Sequence, residues 1–170
     1  MRGAAPPDRW RRAAAPWFDR CMTDTEPSRV VQASRIIAAP ADAIFEQIAD
    51  PARQPAWDGN DNLRSAPEGQ RVRAVGDVFS MTLSQGAVRE NHVVEFEEGR
   101  RIAWKPAEVG TPPIGHLWRW ELEPEDGGTR VTHTYDWTEL HDERRLERAR
   151  STRPANLLAS IDRLAQLVEA

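Results

Sequence analysis

Residues Gly115 to Trp137 read G-H-L-W-R-W-E-L-E-P-E-D-G-G-T-R-V-T-H-T-Y-D-W. Two alternating runs flank Glu125-Asp126-Gly127-Gly128, and strict alternation on both sides of a glycine-rich turn predicts a β-hairpin. In the first run His116, Trp118, Trp120 and Leu122 share one face, with Leu117, Arg119, Glu121 and Glu123 opposite. In the second run Val131, His133, Tyr135 and Trp137 share a face, with Thr132, Thr134 and Asp136 opposite. If Leu122 pairs with Val131, Trp120 faces His133 and His116 faces Trp137. Three of the seven Trp, the only Tyr and two of the four His then project the same way. Large rings with polar tips on one side of a sheet either fill a core or line a cavity.

Downstream, Glu139 to Arg153 is densely charged. Asp142–Arg145 and Glu147–Arg150 are i,i+3 pairs, each worth about 0.2–0.5 kcal/mol, which suits a solvated helical turn or two. Ser151 or Thr152 can cap the next helix, with Pro154 in its first turn. From Asn156 to Glu169, Leu157, Leu158, Ile161, Leu164, Ala165 and Val168 form one apolar face, with Asp162, Arg163, Gln166 and Glu169 mainly on the other side. That face must be laid on something, and the sheet is the only large apolar partner.

Upstream, Val30 to Ala38 reads as a first strand. Ala39-Pro40 opens a helix, since Pro suits the first helical position and Asp42 the first turn. Ile44, Phe45, Ile48 and Ala49 sit at helical spacing, and Asp50-Pro51 ends the element. A second short helix or turn covers Pro51 to Trp57, and Leu63 to Ala66 is a candidate strand. Val78 to Leu83 places Phe79, Met81 and Leu83 on one face. Val88 to Glu97 alternates, with Glu90, His92, Val94 and Phe96 expected on one side and Asn91, Val93, Glu95 and Glu97 on the other. After the Glu98-Gly99 turn, Arg101 to Lys105 carries Ile102 and Trp104 on one face. Gly110 to Gly115 is a loop, because its two prolines cannot join a ladder. Consecutive strands with short turns give an antiparallel meander, which curls as it twists.

The 170 residues suit one folded domain, and a chain this long buries roughly 70% of its unfolded surface. A net charge of −4 argues against a sequence-independent nucleic-acid binder. The basic residues are nearly all Arg, with Lys105 the sole Lys, and no stripe gathers them; biased codon usage accounts for that. One cysteine, Cys21, allows no internal disulfide and no thiol metal site. No apolar run approaches the ~18 residues of a membrane span. The simplest expectation is a soluble cytoplasmic protein. Residues 1–28 differ from the rest: rich in Arg and Pro and without periodicity, they are expected to be an extension to a single domain at 29–170. Arg11-Arg12 is followed by an apolar stretch broken at Pro16 and Asp19, too early for an export signal. Met22 reads as a natural start. Trp10, Trp17 and Phe18 could dock on the domain, close over a pocket as a lid, or join two copies in a homodimer.

With that order in hand, Ile36-Ile37-Ala38-Ala39-Pro40-Ala41-Asp42-Ala43-Ile44-Phe45, then Asp50-Pro51 and Trp57, resembles the START/polyketide-cyclase (SRPBCC) superfamily over about residues 30 to 169. The Gly99…Trp104 turn-strand and the Trp118/Trp120 strand fit it too. The resemblance implies an α+β helix-grip fold: a curved antiparallel sheet of about six or seven strands around a long C-terminal helix, with two short helices after the first strand. It also implies a cavity for an apolar or amphipathic small molecule. Its members include lipid carriers, polyketide cyclases, hormone-binding proteins, coenzyme-Q binders and chaperone-regulator-like domains, so the fold does not choose among functions.

The inward faces nominate Phe45, Trp57, Phe79, Met81, His92, Trp104, His116, Trp118, Trp120, His133, Tyr135, Trp137, Leu157 and Ile161 as ligand-lining candidates. Five Trp in the domain are more ring than a tight core needs, and aromatic walls are typical of pockets. Glu90, His92, His133 and Tyr135 are candidate acid–base residues: a buried carboxylate beside an imidazole suits that work, whereas a Glu90 at a strand end is simply solvated. His133 and Tyr135 equally fit core rings whose tips find partners. His92, His116 and His133 lack zinc-ligand spacing, and no metal or cofactor is expected. No nucleophile elbow, P-loop or dinucleotide fingerprint occurs. Asp58, Asn60, Asp61 and Asn62 form either an ordinary Asx-rich turn or a polar mouth near Trp57. The readings left are capture of a hydrophobic or aromatic small molecule (lipid or polyketide-like), polyketide cyclase/dehydratase chemistry, and a chaperone-regulator-like interaction module.

Overall fold

In the computed structural model, which describes residues 28–170, strand β1 (Val30–Ile37) leads into helix α1 (Ala41–Ala49), a 3-10 turn (Pro51–Arg53) and helix α2 (Gln54–Trp57). Six strands follow: β2 (Leu63–Ser65), β3 (Val78–Leu83), β4 (Val88–Glu97), β5 (Arg101–Glu108), β6 (Leu117–Glu125) and β7 (Gly128–Asp136). Helices α3 (Glu143–Ser151) and α4 (Pro154–Val168) complete the chain. The expectations for Trp10, Trp17, Phe18 and Cys21, and the extension itself, lie outside the described residues.

The strands form one antiparallel sheet in the order β1-β7-β6-β5-β4-β3-β2. Neighbours in sequence are neighbours in space except β1, which closes the far edge beside β7. Gly128 shows why that edge can close. Its φ is +153°, and a Cβ there would lie 2.0 Å from the Ile37 carbonyl oxygen. Only glycine lets the end of β1 pass so near the hairpin turn. Thr129 Oγ1 then donates to the Ala39 carbonyl at 2.8 Å, fastening the start of the helical segment to β7. The hairpin has the expected register, with Leu122 opposite Val131, Trp120 opposite His133 and Trp118 opposite Tyr135.

Two departures from the sequence reading shape the interior. The first is in β4. Val93 pairs with Trp104 and Glu95 with Ala103, so Val94 is an extra residue, a bulge. Before the bulge Asn91 and Val93 are buried; after it Phe96 packs on the core. Glu90 and His92 therefore lie on the outer face, the reverse of the expected alternation, because an inserted residue inverts the parity of a strand. The second is the start of α4. The reciprocal bond comes from Asn156, whose side-chain oxygen accepts from the Arg153 N–H at 2.8 Å, and not from Ser151 or Thr152. Pro154 occupies the first turn, as expected.

Helix α4 lays Ile161, Leu164 and Ala165 on the sheet beside Ile44, Phe45 and Ile48 of α1, forming one filled core with Ile37, Ile102, Leu122 and Val131. Phe45 meets Phe96 edge-on, with centroids 5.9 Å apart. A smaller cluster of Tyr135, Trp137, Leu140, Ala149 and Leu157 anchors α3, with Leu146 and Ile114 against it. Between these two packed regions the sheet divides. β6 pairs with β5 only along Arg101–Trp104, while Arg89 to Asn91 of β4 continue alongside Glu108 to Pro106. The helix is gripped firmly at one end of the sheet and loosely at the other.

Candidate functional site

At the loose end lies a cavity of about 780 Å³. Trp57, Met81, Trp104, Trp118, Trp120, His133, Tyr135, Leu140 and Leu157 line its interior. The β6–β7 hairpin supplies one wall as a ladder of rings. Trp120 stacks on His133 with centroids 3.8 Å apart, Trp118 stacks on Tyr135 at 4.2 Å, and His116 meets Tyr135 edge-on at 6.1 Å. These contacts follow from cross-strand pairing on one sheet face. Trp57 closes on Trp120 edge-on at 5.2 Å and is held by its Nε1–H donating to the Gln47 carbonyl.

The loop after α2 organises the mouth. Asp58 is buried, and its carboxylate accepts from the N–H groups of Asn60, Asn62 and Leu63. Arg163 of α4 donates to the Asp58 carbonyl and to the Asp61 carboxylate, which holds the Asp61 carboxyl below its ordinary range. The segment is thus an Asx-built turn and a cavity edge at once: Asp58, Asn60 and Asn62 line the cavity, while Asp61 turns to Arg163.

Burial sets the protonation of the interior. His133 is pushed down to about 3 by desolvation, with the Leu157 backbone pulling weakly the other way. His116 is pushed down to about 4, first by burial and then by the positive fields of Arg145, Arg89 and Arg148. Burial raises Tyr135 to about 12. At neutral pH both imidazoles are neutral and the phenol keeps its proton, so the ring-lined wall carries no charge. The charged lining residues are Asp58, buried and held in its own turn, and Arg89, Glu108, Arg144, Arg145 and Arg148.

Of the fourteen nominated lining residues, Trp57, Met81, Trp104, His116, Trp118, Trp120, His133, Tyr135 and Leu157 converge on this cavity. Phe45, Phe79 and Ile161 belong to the filled core, and Trp137 to the cluster under α3. Phe79 supports the site indirectly, edge-on to Trp104 at 5.4 Å. His92 sits on the outer face between Val78 and Lys105, and the Glu90 carboxylate accepts from the Gly110 N–H, so neither reaches the cavity. His92 is thereby separated from His116 and His133, and among the described residues no group of three or more His, Cys, Asp or Glu could hold a metal. Nor is any helix among them long and apolar enough to cross a membrane. Sequence reasoning missed Asn91 and the rim arginines. Arg144, Arg145 and Arg148 stand at i, i+1 and i+4 on one helical side, a spacing that does not by itself tell a cavity mouth from bulk water.

A curved seven-stranded antiparallel sheet gripping a C-terminal helix over a cavity defines a helix-grip protein. A family model described as polyketide cyclase / dehydrase and lipid transport matches residues 28–169, and the chain belongs to that family. The uncharacterized protein Rv0088 of Mycobacterium tuberculosis is 30% identical over 120 residues, covering 68% of this chain and 50% of its own length. The chain thus spans about half the length of the curated relatives it matches. Among solved structures, protein MLL2253 from Mesorhizobium loti superposes with a TM-score of 0.61 at 16% identity, covering 82% of this chain and 96% of that one. DynU16, a putative protein in the dynemicin biosynthetic locus, gives 0.60 at 21% identity, covering 85% of this chain and 48% of that one. The Aha1 dimer from Colwellia psychrerythraea gives 0.58 at 15% identity, covering 82% and 96%. At these identities the structural likeness establishes the fold alone.

Proposed function

We propose that this protein binds one hydrophobic, ring-bearing small molecule in the cavity between the sheet and α4. The observation that carries the reading is the ladder of Trp120, His133, Trp118 and Tyr135 along a hollow of about 780 Å³. That volume falls within the roughly 300–1,000 Å³ of small-molecule pockets. Stacking against indole faces favours planar ligands, and neutral histidines let the wall remain apolar. Family membership supports it at the level of small-molecule handling. The test is native mass spectrometry of protein purified from its own host, with thermal melts in the presence of aromatic and lipid probes. A co-purified compound that raises the melting temperature bears the reading out, since a ligand selective for the native state stabilises it. Bare protein whose melting temperature no probe shifts would end it.

A second reading, cyclase or dehydratase chemistry, is favoured by one observation. His116 and Tyr135 meet inside the same cavity, one neutral ring able to accept a hydrogen bond and the other to donate one. Among the four acid–base candidates, Glu90 and His92 lie outside the cavity, leaving Tyr135 and His133. In this reading Tyr135 Oη donates a hydrogen bond to a substrate carbonyl while neutral His116 accepts one from the substrate, so the two rings orient the chain for closure. DynU16, from a biosynthetic locus, shares the fold. Turnover of poly-β-keto substrates that is lost in both His116→Gln and Tyr135→Phe supports catalysis; turnover unchanged in both rules it out.

A further inference from the structure

The charge lining the cavity is unbalanced. Four arginines, Arg89, Arg144, Arg145 and Arg148, share the lining with two carboxylates, Asp58 and Glu108. Asp58 is saturated by the backbone N–H groups of Asn60, Asn62 and Leu63. Glu108 is divided between Arg145 at 3.0 Å and Arg89 at 4.0 Å. Asp142, outside the lining, holds Arg144 at 3.0 Å and is 3.9 Å from Arg145. That leaves Arg148. Its described partner is the neutral Asn62 side-chain oxygen at 3.0 Å, and among the described residues no carboxylate lies within salt-bridge distance of it. The same arginines act inward: Arg145, Arg89 and Arg148 all depress His116, and Arg148 heads the charges opposing the rise at Tyr135. A chain with net charge −4 therefore presents a net positive edge, built from α3 and β4, beside a ring-lined hollow.

We infer that the ligand is an amphipathic carboxylic acid, its apolar body in the tryptophan-lined hollow and its carboxylate at the mouth on Arg148, flanked by Arg145 and Arg89. The inference rests on the small-molecule reading above and adds the head-group chemistry to it. A guanidinium offers a planar fork that matches a carboxylate in two parallel hydrogen bonds. Charge balance favours one negative charge over two: Arg89, Arg144, Arg145 and Arg148 stand against Asp58, Glu108 and Asp142, which leaves one positive charge uncompensated. The unpaired arginine also costs little while the cavity is empty, because it stands at the mouth, where water reaches it. Binding then exchanges water for a charged partner instead of burying a lone charge.

The experiment uses matched pairs on the full chain by isothermal titration calorimetry: 2-naphthaleneacetic acid with 2-naphthaleneethanol, and dodecanoic acid with dodecanol. In each pair only the head changes. At low salt an acid is expected to bind at least about tenfold more tightly than its alcohol, with the gap narrowing as salt is raised. Arg148→Gln should shrink the gap to about threefold or less, weakening the acid far more than the alcohol, and Arg148→Lys should recover part of it. Arg145→Gln provides a second, independent loss of acid preference should Arg148→Gln unfold. Preference in the naphthalene pair alone identifies a ring-bearing acid; preference in the dodecyl pair alone identifies a fatty acid, and both support the carboxylate. Acids and alcohols binding equally well overturn the carboxylate inference while leaving small-molecule capture intact. Preference that survives in both Arg variants overturns it too. If none of the four probes binds, the small-molecule reading falls and this inference with it.

Discussion

Trp120 and His133 lie flat against one another, ring centroids 3.8 Å apart and planes 12° apart, as directly opposed residues of β6 and β7. The stack seals the imidazole from water, and burial holds it neutral with a pKa of about 3. An unfolded chain would protonate the same ring near its ordinary value of ~6.5. Between those limits the unfolded state binds the extra proton, so stability rises with pH through the window and is lost as pH falls from about 6.5 toward 3. His116, pushed down to about 4, adds in the same direction. Each group contributes up to roughly 1 kcal/mol per pH unit. His133→Phe keeps a flat ring on Trp120 and removes the titration. Urea melts at several pH values from 7 to 4.5 should show a shallower acid loss for that variant. A slope equal to that of the unmodified protein would mean His133 titrates normally in the fold.

The register of that hairpin was readable from the amino acids, and the reason is physical. A short turn at Asp126-Gly127 fixes which residues oppose each other, and one buried face penalises any slip. The α4 face was equally plain, because Leu157, Ile161 and Leu164 recur at helical spacing with polar residues between. The β4 bulge was not readable. Glu90 to Phe96 alternates well enough to suggest an unbroken strand, and nothing local marks Val94 as the extra residue. The pairing of Val93 with Trp104 and Glu95 with Ala103 decides it, and that is a contact between strands. The arginines of α3 were hidden for another reason. A helix rich in Arg and Glu looks alike whether it faces bulk water or the mouth of a cavity. Only the fold brings Arg144, Arg145 and Arg148 over the hollow.

Gly59 tests how the cavity mouth is attached. A Cβ on it would lie 2.3 Å from the Ala159 carbonyl carbon and 2.4 Å from the Ser160 nitrogen, both backbone atoms of α4. Its own N–H donates to Ser160 Oγ at 3.0 Å. Neither main chain can yield without moving an element, so Gly59→Ala should cost about 1–3 kcal/mol as an overpacked contact. For a chain of this size that is about 2–4 °C per kcal/mol in thermal melts. Ser160→Ala, which removes the acceptor and adds no clash, should cost nearer 1 kcal/mol. Gly59→Ala melting with the unmodified protein would show that the loop does not rest on α4.

Leu83, at the end of β3, lines the cavity and is only half-buried, so a larger side chain there can grow into the hollow. Leu83→Trp is expected to fold, with a melting temperature within a few degrees of the parent. It should weaken binding of any cavity ligand by at least about tenfold. Calorimetry with 2-naphthaleneacetic acid measures the second effect and circular dichroism the first. Undiminished affinity in a folded variant would place the ligand elsewhere on the molecule.

Tyr135 separates stability from function most cleanly. Its ring stacks on Trp118 at 4.2 Å and packs with Leu140 and Leu157, so the ring is structural. Its hydroxyl makes no hydrogen bond to another described residue, and its oxygen lies on a residue that lines the cavity. Removing an oxygen that bonds nothing in the protein forfeits no intramolecular bond and relieves a desolvation cost. Tyr135→Phe should therefore change stability by no more than a few tenths of a kcal/mol. Tyr135→Ala, which deletes the stacked ring, should cost about 3–5 kcal/mol by analogy with other buried aromatic truncations. If the hydroxyl meets a ligand oxygen, Tyr135→Phe lowers affinity for carbonyl-bearing ligands and spares pure hydrocarbons. The decisive measurement is a urea melt beside a calorimetric titration on the same preparation. A large loss of stability in Tyr135→Phe would show that the hydroxyl is spoken for within the fold, and would remove it from any role at the ligand.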